Sequence, residues 1–180
     1  CRPVGLYLSG SAHVLLDRNI IRRNNIQQLT GYYPAAVKIF NQTHRVTCRD
    51  NLVIEQPYSN GIWYDVGNRD GVFVNNWIEG AIDGFFFEIS HGAIVAGNVF
   101  VRCDKGLRVL NSADVRVYNN TFVDTPASFE RHERSATGDR FGWHPDDSLL
   151  QAWGALGAPY ESGSNIGVLV FGFVYGSPWG

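Results

Sequence analysis

The sequence is poor in charge and contains no methionine. Only 18% of its 180 residues are charged, and the formal net charge is −2. Such a balance excludes the basic surface with which proteins bind nucleic acid, so no nucleic-acid partner is predicted. Because the chain begins at Cys1 without a Met, its natural N-terminus is predicted to lie upstream, which is compatible with a removed leader.

Long apolar runs and metal-ligand motifs are also missing. No stretch of about eighteen apolar residues occurs, so the sequence predicts no membrane-spanning helix. The three cysteines, Cys1, Cys48 and Cys103, cannot all pair with one another and lack the spacing of a metal site. Cys48 is predicted to be a buried free thiol, and no metal ligands are predicted from spacing.

The sequence does contain an internal repeat, marked by five asparagines. These are Asn19, Asn51, Asn76, Asn98 and Asn120, with successive spacings of 32, 25, 22 and 22 residues. A large apolar residue follows each asparagine after two positions: Ile21, Val53, Ile78, Phe100 and Phe122. Each copy begins with a small residue and an apolar strand, at Gly5, Ala36, Gly61, Gly84 and Gly106. The asparagines are expected to stack on one another and to occupy left-handed bends.

Alternating apolar residues predict strands with one buried face. Three short strands in about 22 residues cannot bury that face alone, but stacked copies can. The strand starts and Asn turns over residues 5–125 resemble the right-handed parallel β-helix proteins, the pectate-lyase-like superfold. A leucine-rich repeat is the competing interpretation, although its leucine ladder is missing.

The predicted fold is all-β, a right-handed parallel β-helix of about five coils. It spans residues 1–148 with a loop excursion at 130–148, and residues 149–180 are predicted to form an irregular C-terminal cap or tail. A strand-like run lies at 166–175. Insertions at 25–34 and 56–60 lengthen the same corner of the first two copies and are predicted to flank the face of the first strands.

The outward positions of the first strands carry the candidate functional residues. Neighbouring coils lie about 4.8 Å apart, so equivalent residues form columns. One column contains Tyr7, Lys38, Trp63, Phe86 and Arg108, and the next contains Ser9, Phe40, Asp65, Glu88 and Leu110. Trp63 and Phe86 are predicted to be exposed aromatics that stack on sugar rings. His91 is expected at the edge of this face, beside Asn68.

Asp65 and Glu88 are like charges in register, and three interpretations of them stay open. First, they are the acid and nucleophile of glycoside hydrolysis, with carboxyl groups near ~5 Å as in retaining enzymes. Secondly, they bind Ca²⁺, while Lys38, His91 or Arg108 removes the proton α to a uronate carboxylate. Thirdly, they are structural: Asp65 pairs with Lys38 or Arg108, and Glu88 with Arg69 or His91.

The resemblance adds an expected function. Many parallel β-helix proteins are polysaccharide lyases, glycoside hydrolases or uronate epimerases with sites on the outer face of this sheet. It therefore implies a carbohydrate-active protein that cleaves a polysaccharide, with Asp65 and Glu88 as catalytic residues. The expected substrate-binding residues are Lys38, Trp63, Phe86, His91 and Arg108.

Lyase or epimerase activity, and a non-catalytic glycan-binding or structural role, are the alternatives. No cofactor is expected, except Ca²⁺ in the lyase case. The expected partner is a polysaccharide or oligosaccharide, the expected location is extracellular or periplasmic, and a monomer is expected. No catalytic motif of these families is present in the sequence, so the resemblance alone does not choose between the activities.

Overall fold

The computed structural model describes residues 3–31, 33–130, 169–171 and 174–176. Within them the chain forms strands and no helix, so no described segment is a helix capable of crossing a membrane. The first sheet consists of β1 (Val4–Ser9), β4 (Ala35–Phe40), β7 (Asn60–Asp65), β10 (Asp83–Glu88), β13 (Lys105–Leu110) and β16 (Ala127–Glu130). The second sheet consists of β2 (Leu15–Asp17), β5 (Thr47–Arg49), β8 (Arg69–Val74), β11 (His91–Ala96), β14 (Ala113–Tyr118) and β17 (Leu169–Phe171). The third sheet consists of β3 (Ile20–Arg22), β6 (Leu52–Ile54), β9 (Trp77–Glu79), β12 (Val99–Val101), β15 (Thr121–Val123) and β18 (Val174–Gly176).

Each coil contributes one strand to each of the three sheets. Strands β1 to β15 make five such coils, and every named strand pairs in parallel with its equivalent in the next coil. The predicted all-β parallel β-helix is therefore confirmed. The strand-like run at 166–175 includes β17 and most of β18, which extend the second and third sheets beside β14 and β15. The predicted loop at 130–148 lies outside the described residues beyond Glu130.

Equivalent inward side chains pile into continuous ladders inside the solenoid. In the third sheet Phe100 pairs with Phe122, and their rings stack with centroids 5.0 Å apart. In the second sheet Cys48 pairs with Phe73, and both are fully buried. Full burial of a large apolar side chain contributes about 1.5–3 kcal/mol, so each residue of these ladders stabilises the stacking of the coils.

The predicted asparagine ladder is confirmed by its hydrogen bonds. Asn76 Oδ1 accepts from the backbone N–H of Asn51 at 3.0 Å and from Asn51 Nδ2 at 2.9 Å. Asn76 Nδ2 in turn donates to the Cys48 and Val74 carbonyls, each at 3.0 Å. The same pattern recurs at Asn19, Asn51, Asn98 and Asn120.

The left-handed bend lies one residue earlier than predicted. Positive φ angles occur at the residue before each asparagine: Arg18 (54°), Asp50 (54°), Asn75 (56°), Gly97 (66°) and Asn119 (54°). The ladder asparagine itself donates its backbone N–H to the next asparagine as the third strand begins. The bend therefore has to be completed by the preceding residue.

Close contact between coils explains the glycines at the strand starts. A Cβ atom built on Gly84 would lie 2.5 Å from the carbonyl oxygen of Gly106 in the next coil. Only glycine fits this approach without moving the backbone. Gly84 thereby allows β10 and β13 to approach each other closely near the start of β10.

Candidate functional site

The two outward columns of the first sheet are those that the sequence predicts. Strand register aligns Lys38 with Trp63, Trp63 with Phe86, and Phe86 with Arg108. It also aligns Asp65 with Glu88. The structure extends the first column to Ser128 and the second to Glu130.

Four residues of the first column form a stack of cations and rings, which we call the outer stack: Lys38, Trp63, Phe86 and Arg108. Lys38 Nζ lies 2.9 Å from the centroid of the Trp63 ring. The Trp63 and Phe86 rings stack with centroids 5.2 Å apart and planes inclined by 17°. Arg108 Cζ lies 4.6 Å from the Phe86 centroid on the following coil. Each ring therefore has both faces covered by its neighbours in the stack.

The outer stack corrects two predictions about the aromatic residues. Trp63 and Phe86 are 6% and 4% exposed, so the expectation of exposed rings is wrong. The rings pack with Ala35 and Leu110 in an apolar cluster of their own, separate from the interior core. Because the ring faces are occupied, the two side chains cannot serve as flat sugar platforms, although their edges can still contact a ligand.

Asp65 and Glu88, which we call the acid pair, lie side by side on β7 and β10. Both are buried, with exposures of 7% and 6%. Asp65 Oδ2 forms an ion pair of 2.5 Å with Lys38 Nζ, and Glu88 Oε2 accepts a hydrogen bond of 3.1 Å from Trp63 Nε1. Burial lowers the pKa of Lys38, while the charges of Asp65 and Glu88 oppose that shift. Lys38 thus stabilises two carboxylates that would otherwise repel each other.

A calcium ion does not fit this arrangement. Ca²⁺ takes six to eight oxygen ligands, whereas Asp65 is engaged by the ammonium of Lys38 and Glu88 by an indole N–H. Across the described residues, no group of three or more His, Cys, Asp or Glu side chains is arranged to hold a metal ion.

His91 lies in a different register from the one predicted. It begins β11 in the second sheet, where its partners in adjacent coils are Arg69 and Ala113. The expected neighbour, Asn68, is aligned instead with Ser90, whose hydroxyl accepts the Asn68 backbone N–H at 3.1 Å. His91 therefore sits at the corner between two sheets, and its substrate-binding role stays a prediction.

A cleft of about 520 Å³ opens on the other side of Trp63 and Phe86. The described residues lining it are Gln28, Leu29, Thr30, Gly31, Pro34, Pro57, Tyr58, Asn60, Trp63, Ile82, Asp83, Phe86 and Arg108. Residues 28–31, 34, 57 and 58 thus form one side of the cleft, and the first sheet forms its floor. This arrangement agrees with the prediction that the two insertions flank the first strands.

A charged cluster that joins β10, β13 and β16 was missed by the sequence reasoning. Arg108 donates from Nη1 to Asp83 at 3.2 Å and from Nη2 to Glu130 at 2.9 Å. Lys105 Nζ also donates to Glu130, at 2.6 Å. Asp83 and Lys105 are 22 residues apart, as are Arg108 and Glu130. The 22-residue repeat spacing could therefore have predicted that these oppositely charged residues lie on adjacent strands.

The ionisation of this cluster follows from burial and its ion pairs. Asp83 is 4% exposed, and burial raises its pKa although Arg108 opposes the shift. Burial also acts to raise the pKa of Glu130. Hydrogen bonds from Lys105, Ser128 and Arg108 outweigh it, and the pKa of Glu130 falls to about 2.

Comparison with known proteins supports the fold and leaves the chemistry of the site open. A family model described as a right handed beta helix region matches residues 1–122. No curated protein and no solved structure matches the chain significantly. The match covers more than half of the chain, and the stacked parallel sheets agree with it. The chain therefore belongs to the right-handed β-helix family.

Proposed function

We propose that the protein is a carbohydrate-active β-helix protein that cleaves a polysaccharide by glycoside hydrolysis at the acid pair. One observation carries the proposal: Asp65 and Glu88 are in register on adjacent strands, buried, and oriented by different partners. Carboxyl groups one coil apart lie near ~5 Å, which is the separation used by retaining enzymes.

The different partners suggest a role for each acid. The ammonium of Lys38 favours the ionised form of Asp65, as a nucleophile at the anomeric carbon requires. Trp63 Nε1 orients the Glu88 carboxyl group by its hydrogen bond to Oε2, and this carboxyl group donates its proton to the leaving glycosidic oxygen. Glu88 then accepts a proton from the water that hydrolyses the glycosyl–Asp65 ester.

Glu88→Gln provides the direct test of hydrolysis. A glutamine can keep the hydrogen bond from Trp63 but has no proton to give, so new reducing ends should form at least about a hundredfold more slowly. The control is Glu55→Gln. Glu55 is an exposed acid that directly follows β6, so this variant should retain full activity. Full activity in Glu88→Gln, measured on a glycan that the wild type cleaves, would rule out Glu88 as the proton donor.

A β-elimination lyase is the second candidate, favoured by the state of Lys38. Burial lowers the pKa of this lysine, and a lysine with a lowered pKa is a better base at neutral pH. A lyase would release an unsaturated uronate that absorbs ultraviolet light, whereas a hydrolase would release only reducing ends. Spectrophotometry of the products separates the two activities.

Binding without turnover is favoured by a different observation. The carboxylate of Asp65 is ion-paired with Lys38 of the same chain, as the structural interpretation of the sequence predicts. In that case saccharide affinity would be measurable, and neither reducing ends nor ultraviolet-absorbing products would form.

A further inference from the structure

We propose that the cleft beside the outer stack is a binding subsite for an uncharged sugar, and that the substrate is therefore a neutral glycan and not a polyuronate. This inference rests on the proposed carbohydrate function and adds the class of its substrate. It concerns residues that the acid pair does not use, apart from Trp63, which lines the cleft and donates to Glu88.

The cleft has the size and lining of a small-ligand site. Its volume of about 520 Å³ falls within the range of about 300–1,000 Å³ that is usual for ligand pockets. Leu29, Pro34, Tyr58 and Ile82 supply apolar surface, together with the edges of the outer-stack rings. Such surface suits the C–H groups of a sugar, while a few polar groups are needed for its hydroxyls.

One buried side chain ties the wall segments together. Asn25 is 2% exposed, and its Nδ2 donates to the Leu29 carbonyl at 2.9 Å and to the Tyr58 carbonyl at 2.6 Å. Its Oδ1 accepts the backbone N–H of Leu29 at 2.9 Å. The segments that carry Leu29 and Tyr58 are thereby held to each other, so this wall exists before any ligand arrives and little ordering is required on binding.

The charges in the cleft favour hydroxyl groups over carboxylates. Among the described lining residues, only Asp83 and Arg108 are charged, and they form an ion pair of 3.2 Å. Arg108 also faces Glu130, at 2.9 Å. The guanidinium is therefore already shared by two carboxylates, and a uronate would add a third negative charge beside the buried Asp83.

A hydroxyl group, by contrast, matches both members of the pair. It can donate to a carboxylate, which has acceptor capacity beyond the single bond to Arg108, and can accept from a guanidinium N–H. Bonds of this kind to charged partners are about twice as strong as those between neutral groups. The Asp83–Arg108 pair thus forms a polar anchor for an uncharged sugar on an otherwise apolar wall.

The position of the cleft connects it with the acid pair. Trp63 and Phe86 border the cleft and precede Asp65 and Glu88 by two residues on the same strands. Two residues of a strand span about 7 Å. A chain of sugars seated in the cleft can therefore extend past the ring edges toward the acids.

Binding measurements with two sets of oligosaccharides test the inference. Isothermal titration at pH 7 would compare hexasaccharides of glucose, mannose and xylose with hexasaccharides of galacturonate and mannuronate. A neutral hexasaccharide should bind the wild type more tightly than either uronate. Asp83→Asn should weaken the neutral ligand about tenfold, because a charged hydrogen-bond acceptor is lost.

The same substitution should have the opposite effect on the uronates. Without the Asp83 charge, Arg108 is balanced by Glu130 alone, so uronate affinity should rise. Partial unfolding would weaken both classes of ligand, and the opposite signs therefore separate the two causes. Asp104→Asn, at an exposed position outside the cleft, is the control and should change neither affinity.

Tyr58→Ala gives a second variant that is safe for folding, because Tyr58 is 45% exposed, and it should weaken neutral binding. Tight uronate binding, no sugar binding, or neutral binding unaffected by both cleft variants would each overturn the inference.

Reducing-end assays are read separately: neutral binding in the cleft without cleavage supports the subsite and contradicts hydrolysis. Cleavage that needs Glu88 but not Asp83 or Tyr58 supports hydrolysis and contradicts the subsite.

Discussion

Lys38 and Asp65 form a buried ion pair on the outside of the solenoid, with Nζ and Oδ2 2.5 Å apart and the Lys38 side chain 1% exposed. A charged pair of this kind gains little over apolar residues, but the loss of one partner leaves the other charge buried. This relationship makes Asp65 important for stability as well as a candidate for catalysis. The two contributions have to be separated by experiment.

Asp65→Asn is expected to lower the free energy of unfolding by about 3 kcal/mol, because Lys38 would remain charged and buried. Asp50→Asn is the matched control, since Asp50 is exposed and asparagine tolerates its φ of 54°. Urea denaturation of both variants measures the difference. A double variant, Lys38→Met with Asp65→Leu, should recover most of the lost stability, and failure to recover would show that the ion pair is not the cause.

The pH dependence of stability should report the burial of Lys38. Burial lowers the pKa of this lysine from its ordinary value of 10.5, so the unfolded chain binds more protons between the folded value and 10.5. Stability contributed by this site should therefore increase as the pH rises through that window. Lys38→Met should lack the increase in chemical denaturation at successive pH values. An identical slope in wild type and variant would contradict the expected shift.

The asparagine ladder should be most sensitive to substitution in its middle. Asn76→Ala removes an acceptor used by two donors of Asn51 and three bonds from its own Nδ2, so a loss of about 2–4 kcal/mol is expected. Asn19→Ala is the control at the exposed end of the same ladder, and should cost about 1 kcal/mol or less. Thermal or urea unfolding measures both. Equal losses of stability in the two variants would mean that the position of an asparagine in the ladder, and hence its burial, does not affect its contribution to stability.

Acid stability should depend on Glu130. Its pKa falls to about 2 in the folded protein from an ordinary value of 4.5, so its stabilising contribution is present above about pH 4.5 and is lost as the pH falls toward 2. Allowing for solvent screening, the contribution is on the order of 1–2 kcal/mol. Glu130→Gln should flatten the acid side of the stability profile by that amount. If the variant had the same stability profile as the wild type, the hydrogen bonds from Lys105, Ser128 and Arg108 would not stabilise the ionised form of Glu130.

The two described cysteines should be inert until the protein unfolds. Cys48 and Cys103 are free and buried, which confirms the prediction for Cys48. Burial raises the pKa of Cys48 to about 12, with a small opposing effect from the Tyr64 hydroxyl, and raises that of Cys103 to about 11. Thiolate is the reactive form, so a thiol reagent at pH 8 should label neither residue in the native state and both in urea. Peptide mapping distinguishes them from Cys1, and native labelling of Cys48 would contradict its burial.

The sequence by itself determined the solenoid, because the repeat is a local pattern copied along the chain. Coils stack at equivalent positions, so the 23-residue spacing of the strand-start glycines Gly61 and Gly84 is enough to align Trp63 with Phe86 and Asp65 with Glu88. The inward ladders, such as Phe100 with Phe122, follow from the same alignment. Strand alternation then decides which side chains point outward.

Tertiary structure decided what surrounds those outward side chains. The columns of the sequence do not reveal that Lys38 and Arg108 close the two ends of the Trp63–Phe86 stack, nor that the stack is buried. Ring orientation and burial depend on contacts between coils and on loops whose paths the repeat does not encode. The cleft arises in the same way, because residues near Leu29 and Tyr58 meet the first sheet only in the folded chain.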